Sequence, residues 1–290
     1  MALTTLEEIL QPESVDEVAE LLLSHGESAM VMAGGTFIHG LVARGLVTDV
    51  TKLIDLSGLG LNQLQTDRKS LRIGSAVTFA DLEGSETIRS SAVLAALVDA
   101  VSYPPQQIKN AATVGGCVAS ACPYLDLPIV LLALEASATA AGSTGKREIP
   151  LDELFVSLFQ TSLNTDEFIT GFTVPLPSAG TASSFEKIET TANDLSIVSV
   201  AVRVSTGWRK SRNSRIFVGG GIGEVPFRCR AAEVILDGSK LEDEALRKAA
   251  GAAVEEIEPF GDHRASAEYR KAMTGVLVER NLRQARARIQ

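Results

Sequence analysis

Two glycine pairs set about eighty residues apart constrain this chain more than any other feature. Ala33-Gly34-Gly35-Thr36 and Thr113-Val114-Gly115-Gly116 each follow a short apolar run, the pattern of a buried element breaking into a tight turn. Without a Cβ the backbone can approach a phosphate closely, and consecutive amide N–H groups form a concavity that takes an anion. One such pair is an ordinary turn. Two in one chain can grip the two phosphates of a diphosphate, with the hydroxyls of Thr36 and Thr113 as further donors.

Periodicity predicts a mixed α+β chain. Ser14 to Leu23 has helical spacing behind Ser14 and Glu17, read as a capping box, and Ala29 to Ala33 reads as a buried strand entering the first turn. Val50 to Leu56 and Ser70 to Val77 read as strands, Thr78 to Asp81 opens a short helix, and Ile88 to Val101 supplies a longer one. Leu127 to Leu134 is a buried helix, far short of the roughly 20 residues a membrane span needs. Glu135 to Pro150 reads as a hairpin about Gly142 and Gly145, and Glu167 to Val174 as a strand ended by Pro175 and Pro177. Pro175-Leu176-Pro177-Ser178-Ala179-Gly180 is the clearest linker. Beyond it, Ser183 to Glu189, Ile197 to Val204 and Arg215 to Gly219 predict an antiparallel sheet, followed by helices near 229–236, 242–257 and 266–287. Gly219-Gly220-Gly221-Ile222-Gly223 lacks the helix and acidic residue of a dinucleotide motif and reads as a bent strand or loop.

The order of these segments resembles one family. The second glycine pair runs on through Cys117 to Pro123-Tyr124-Leu125-Asp126, followed later by Phe185-Glu186-Lys187, Asp194 and Asp262-His263-Arg264-Ala265-Ser266-Ala267-Glu268-Tyr269-Arg270. This string is similar, nearly end to end, to the FAD-binding subunits of the molybdenum hydroxylases: the medium chain of carbon monoxide dehydrogenase and the flavin domain of xanthine dehydrogenase.

The resemblance implies a two-subdomain FAD-binding fold of the PCMH/VAO type over residues 1–176, its N-terminal subdomain ending near residue 56, and a C-terminal α+β domain over 181–290. It implies that Val31, Met32, Ala33, Gly34, Gly35, Thr36, Phe37, Ile38 and His39, with Thr113, Val114, Gly115, Gly116 and Cys117, hold the cofactor. Asp126 falls where family members place an aspartate near the adenosine end, although Asp126 before Pro128 is also a good helix start. Tyr103, Ile169 and Lys187 match positions that approach the flavin. A lysine there would stabilise negative charge on the reduced ring; the alternative for a lone strand lysine is a solvated face. Two departures stand out: Glu189-Thr190-Thr191 occupies the region where an arginine is common, and Cys117 replaces the usual asparagine. Cys117 reads as a small packed residue, with a reactive thiol as the alternative.

Composition bounds the rest. The 290 residues suit two or three subdomains, and a formal charge of −9 with pI near 5.0 excludes nucleic acid as a partner. Arg280, Arg283, Arg286 and Arg288 read as a solvated face of the last helix, with an acidic partner subunit as the alternative. Three cysteines without CxxC spacing are read as reduced thiols, too few for an iron–sulfur cluster, and His25, His39 and His263 stand in unrelated contexts, so no metal is expected. No signal sequence or transmembrane segment is visible, which predicts a cytoplasmic protein.

The resemblance therefore implies an electron-transfer subunit carrying FAD, with the molybdenum cofactor on a large partner and [2Fe–2S] clusters on a small one. The expected assembly is a heterotrimer or its dimer, passing electrons to an acceptor such as NAD, oxygen or a quinone. A self-contained flavoenzyme of the same fold and a flavin-free scaffold are the alternatives.

Overall fold

The computed structural model describes residues 5–177, 180–191, 193–207 and 210–289. Among the described residues, three larger sheets and one two-stranded hairpin carry the chain. The first unit runs β1 (Glu8–Leu10), α1 (Val15–His25), β2 (Ala29–Met32), α2 (Thr36–Ala43) and β3 (Lys52–Asp55), in a parallel sheet ordered β1-β3-β2. Ser14 caps α1 by accepting from the Glu17 amide at 3.1 Å, but the Glu17 carboxylate accepts from the Glu13 amide rather than from Ser14, so the expected capping box is only half made. The buried face of α1 is Val18, Ala19 and Leu22, packed on Ile54 and Leu56.

The second unit follows as β4 (Leu64–Thr66), β5 (Ser70–Gly74), α3 (Phe79–Gly84), α4 (Glu86–Arg89), α5 (Ala95–Val101), α6 (Gln106–Ala111), α7 (Val114–Ala119), α8 (Asp126–Ala133), β6 (Ser137–Gly142), β7 (Gly145–Pro150), α9 (Leu151–Leu154), β8 (Phe155–Ser157), β9 (Gln160–Thr161) and β10 (Phe168–Pro175). Its antiparallel sheet has the order β4-β5-β10-β6-β7, with Phe172 opposite both Ile73 and Ala138. A reciprocal capping box does occur here, where the Thr78 hydroxyl accepts from the Asp81 amide and the Asp81 carboxylate accepts from the Thr78 amide. The single helix expected over 88–101 is instead two. The Ser90 hydroxyl donates back to the Glu86 carbonyl and the Ser91 amide closes a tight turn onto Ile88, so the polar pair ends α4 before α5 begins. Every residue of α8 from Leu127 to Ala133 is buried.

The third unit comprises β11 (Thr181–Glu189), β12 (Ser196–Gly207), β13 (Lys210–Ser211), β14 (Arg215–Gly220), β15 (Phe227–Arg228), α10 (Arg230–Leu236), α11 (Asp243–Glu256) and α12 (Ala267–Ile289). Residues 178 and 179 of the expected linker lie outside the described residues. The antiparallel sheet has two buried faces set by the period-two alternation of β12. Val198, Val200, Val202 and Val204 face the core shared with α10, α11 and α12, whereas Ala201, with Phe185 and Phe217, joins the core around α8. The glycine run after Phe217 is the end of β14 followed by a turn; Gly220 adopts φ +86° and Gly221 abuts the Arg270 guanidinium.

Of the four arginines near the end of α12, Arg280 is exposed as expected, whereas Arg283, Arg286 and Arg288 are partly buried, and all four are paired. Arg283 and Arg286 both pair with Asp243 at 2.8 Å, and Arg280 reaches Glu186 at 3.1 Å. Arg288 grips Asp99 of α5 with both terminal nitrogens, at 2.6 and 2.8 Å, and donates to the Ser183 carbonyl. These side chains tie the last helix to its own chain's carboxylates, which single-residue polarity does not reveal.

Candidate functional site

The first glycine turn stands at the carboxyl end of β2 in the parallel sheet, where strand gives way directly to α2. Gly35 is the N-cap of α2 at φ +67°, a conformation that disfavours any residue with a Cβ, and it has no side chain to satisfy the first-turn amides. Among the described residues, the Gly34 and Gly35 amides donate to no acceptor, and the first backbone bond of the helix is His39 N–H to the Gly35 carbonyl. The amino end of α2 is thus an open set of N–H donors with the positive end of the helix dipole behind it.

The segment that leads into the second glycine pair lies against the first. A Cβ on Gly34 would sit 1.6 Å from the Ala111 carbonyl oxygen, so the two backbones touch only because residue 34 has no side chain. From Ala111 the chain turns into α7, whose N-cap is Thr113. Here the donors are already used: Val114 N–H goes to the Val77 carbonyl, Gly115 N–H to the Ser75 carbonyl at 2.8 Å, and Gly116 N–H to the Thr113 hydroxyl at 3.2 Å. The second turn is therefore pinned to the end of β5 and adds little backbone donor capacity to that of the first. What it contributes is closeness. Gly116 is exposed with only Thr113 Oγ1 near its missing Cβ, whereas Gly115 is buried and its Cβ would lie 2.6 Å from the Ser75 Cβ.

A charged cluster continues from the second turn. The buried Cys117 follows Gly116 and feels the charge of Asp126 at the start of α8; burial pushes its thiol well above the usual range, so it is an inert packed group. Asp126 is the first residue of α8 but caps nothing; its carboxylate accepts from Lys187 Nζ at 2.9 Å. Lys187 Nζ also donates to the Asp194 carbonyl at 2.9 Å, lies 3.1 Å from Glu189 and sits 4.8 Å from the centre of the Tyr103 ring. The Lys187 side chain is only 4% exposed, which overturns the solvated-face alternative. Tyr103 accepts from the Lys187 backbone amide and packs edge-on against Phe185. Burial raises the Asp126 carboxyl to about 6 even though Lys187 pulls it down.

The remaining expected positions divide. Val31 and Met32 lie in β2, and half-buried Phe37 packs on Phe159 at 6.1 Å; Ala33, Thr36 and Ile38 are half-buried beside them, while His39 points to an exposed face. Ile169 is buried in β10 opposite Ala140, within the core. Sequence reasoning missed Ser75 and gave no contact role to Glu189 or Arg264. Ser75 holds the second turn through its carbonyl, and Arg264 fixes the loop beyond Lys187 by pairing with Asp194 and donating to the Leu195 and Ser196 carbonyls. No local signal marks Ser75, whereas the Gly74 before it signals close packing, since a Cβ there would meet the Leu61 carbonyl oxygen at 2.1 Å. Among the described residues no three His, Cys, Asp or Glu side chains converge as metal ligands. A cavity of about 160 Å³ bordered by Glu135, Asp152, Arg215 and Arg228 lies at the opposite end of α8 from Asp126.

Free amides on one turn, a side-chain-free surface on the other and buried Ser75 Oγ and Asp126 Oδ1 atoms without partners are groups suited to a phosphate-bearing ligand. The family described as FAD binding domain in molybdopterin dehydrogenase matches residues 4–177, and that described as CO dehydrogenase flavoprotein C-terminal domain matches residues 183–285. The chain belongs to the FAD-binding subunits of the molybdenum hydroxylase family. It is 33% identical over 276 residues to the 6-hydroxypseudooxynicotine dehydrogenase complex subunit alpha of Paenarthrobacter nicotinovorans, covering 94% of this chain and 92% of the relative. The nicotine 6-hydroxylase medium subunit of the same organism is 32% identical, with 96% of each chain covered. A solved carbon monoxide dehydrogenase from Hydrogenophaga pseudoflava superposes with TM-score 0.92 at 30% identity, covering 98% of both chains. The α+β architecture is thus that of this FAD-binding fold with its C-terminal domain, and the chain is an oxidoreductase subunit that carries FAD and serves electron transfer.

Proposed function

We propose that this subunit holds FAD across the two glycine turns and relays electrons from the [2Fe–2S] centres of a small partner chain to an external acceptor such as NAD, oxygen or a quinone. A large molybdopterin-binding chain would complete a cytoplasmic heterotrimer or its dimer. The observation that carries this reading is the seating of Gly34 on the Ala111 carbonyl, which brings a turn with free amides against one with an exposed glycine. In this reading the Gly34 and Gly35 amides and the first turn of α2, from Thr36 to Ile38, hold the diphosphate. Gly116 lets the ligand approach the second turn, and the Thr113 hydroxyl, accepting from Gly116, keeps a proton to donate. The division between the FAD-binding and C-terminal domains falls between residues 176 and 181.

Bound FAD supplies a centre that takes up electrons and passes them on singly or in pairs, chemistry that belongs to the cofactor. The chain's own part is placement and electrostatics. Asp126 and Lys187 touch, so they serve one region of an extended ligand rather than its two ends. The Lys187 ammonium is locked by Asp126, Glu189 and the Asp194 carbonyl, and the nearby carboxylates offset much of its field.

The test is purification of the assembled complex through a tag on this chain, followed by absorption spectra and chromatography of released cofactor. Retained FAD on this chain together with iron–sulfur absorbance on a smaller companion is the expected result. A complex that retains flavin but lacks iron–sulfur absorbance would overturn the relay.

A further inference from the structure

Two carboxylates and one ammonium meet behind the second glycine turn. Lys187 Nζ lies 2.9 Å from Asp126 Oδ2 and 3.1 Å from Glu189 Oε2, and the Lys187, Asp126 and Glu189 side chains are only 4, 12 and 19% exposed. The second oxygen of Asp126, Oδ1, is buried and has no partner. Burial raises the Tyr103 phenol and the Cys117 and Cys122 thiols, so these three neighbours stay neutral at neutral pH. The Asp194 carboxylate is taken by Arg264 and the Leu195 amide, and only its carbonyl reaches Lys187. The other arginines nearby are engaged elsewhere, Arg280 on Glu186 and Arg44 on the Gly40 carbonyl. The cluster thus holds one carboxylate more than its cation balances.

That surplus bears on electrons arriving beside it. Cys117, which follows the exposed Gly116, is close enough to feel the charge of Asp126, so a ligand on the second turn lies next to this carboxylate. Two electrons added to FAD bring negative charge to a site that is already negative, and Lys187 is committed to its two carboxylates. A proton from water is the positive charge that can still enter. Asp126 is placed to take it, with one oxygen free of any donor and a carboxyl that burial already raises to about 6. Negative charge beside a carboxylate favours its protonated form, and by linkage the proton in turn favours the electrons.

We infer that Asp126 takes up one proton when electrons reach the flavin, and that Glu189 is the residue that makes this uptake necessary. The inference rests on the reading that FAD lies across the two glycine turns, and it adds to that reading a redox-linked proton site on the chain itself. For each electron pair accepted with the protons that the ring binds, one further proton passes from water to the Asp126 carboxylate and leaves again when the electrons leave. No bond between Asp126 and the cofactor forms or breaks.

The test is spectroelectrochemical titration of the FAD-loaded full chain between about pH 5 and pH 8, in which the slope of the flavin midpoint potential counts protons per electron pair. Reduced-minus-oxidised infrared spectra are recorded on the same samples. At about pH 7 the unaltered chain is expected to take up one proton more per electron pair than Asp126→Asn, and to lose a carboxylate band and gain a carboxylic acid band on reduction, a change missing from the variant. Below about 6 the difference closes, because Asp126 is protonated before the electrons arrive. Glu189→Gln keeps the contact between Asp126 and Lys187 but removes the surplus carboxylate, so its extra uptake moves to lower pH; an unchanged pH window in this variant overturns the proposal even if Asp126→Asn fails to fold or to hold FAD. Equal proton counts in all three proteins, with no carboxyl band, overturn the proton site while leaving FAD on this chain. An unaltered chain that retains no flavin in the assembled complex overturns the FAD reading itself.

Discussion

The contact between Gly34 and Ala111 can be tested by a single methyl group. In Gly34→Ala the new Cβ would lie 1.6 Å from the Ala111 carbonyl oxygen, 2.6 Å from its carbon and 3.3 Å from the Ala112 nitrogen. Both partners are backbone, so no side chain can swing away, and the turns must separate by at least about 1.4 Å to reach a tolerable contact. A separation of that size breaks the simultaneous grip on a diphosphate. Losing one or two charge-assisted hydrogen bonds at about 1.5–3 kcal/mol each weakens FAD binding by roughly ten-fold to 10⁴-fold. Gly35→Ala provides the contrast: only the Met32 side chain lies within 4 Å of its Cβ, at 3.8 Å, but φ is +67°. That variant should lose about 1 kcal/mol of stability to backbone strain and much less affinity. Titration of the flavin-free chain with FAD, followed by fluorescence quenching, measures affinity, and circular dichroism and thermal unfolding measure the fold. Wild-type affinity in a normally folded Gly34→Ala protein would refute the two-turn cradle. Gly115, by contrast, is a poor probe of phosphate access, because a side chain there strikes Ser75 and disturbs the anchoring of α7.

Three further outcomes follow from named contacts. Asp126 is raised to about 6 in the folded chain against roughly 4 when unfolded, so between these values the folded state binds the extra proton and its contribution to stability is lost as pH rises; unfolding of Asp126→Asn, compared with the unaltered chain, should lack that decline, and identical pH dependence would count against it. Arg288→Gln removes the partly exposed two-point ion pair with Asp99 and should lower stability by about 1–2 kcal/mol in chemical denaturation, a loss that 1 M salt reduces; no change would show that this end of α12 is not a fastening. Cys117, Cys122 and Cys229 are all buried with thiols pushed upward, so the native chain should resist a thiol reagent at neutral pH and react at three positions once unfolded, a count read by mass spectrometry.

Much of the fold was legible because its strongest signals are local. The strand entering Gly34, the Gly142–Gly145 hairpin and the alternation in β12 are all period and turn effects, and each is present in the structure. The break between α4 and α5 was not legible, since an apolar spacing that continues across Ser90 and Ser91 conceals the Ser90 hydroxyl bonded back to Glu86. At the site, the glycines announced close backbone approach but not what would approach: for Gly34 and Gly115 it is the chain itself. The roles of Asp126, Lys187 and Tyr103 came only from the family resemblance, because a salt link between residues 126 and 187 has no sequence period. The fastening of Arg288 was hidden for the same reason, as Asp99 lies 189 residues away.

The anchoring of the second glycine turn also orders events in time. Its Gly115 amide hangs on Ser75 at the end of β5, and β5 is held in the sheet by β10, in which Phe172 meets Ile73 from nearly one hundred residues further along. Pairings over such separations close late, because the large loop must lose its freedom before the contacts reward it. Until β10 arrives, β5 and β6 present open edges and the second half of the cradle has no fixed support. If the cradle is as proposed, flavin capture belongs to the final stage of folding, where the ligand can lock a finished sheet but cannot hasten the strand search that precedes it.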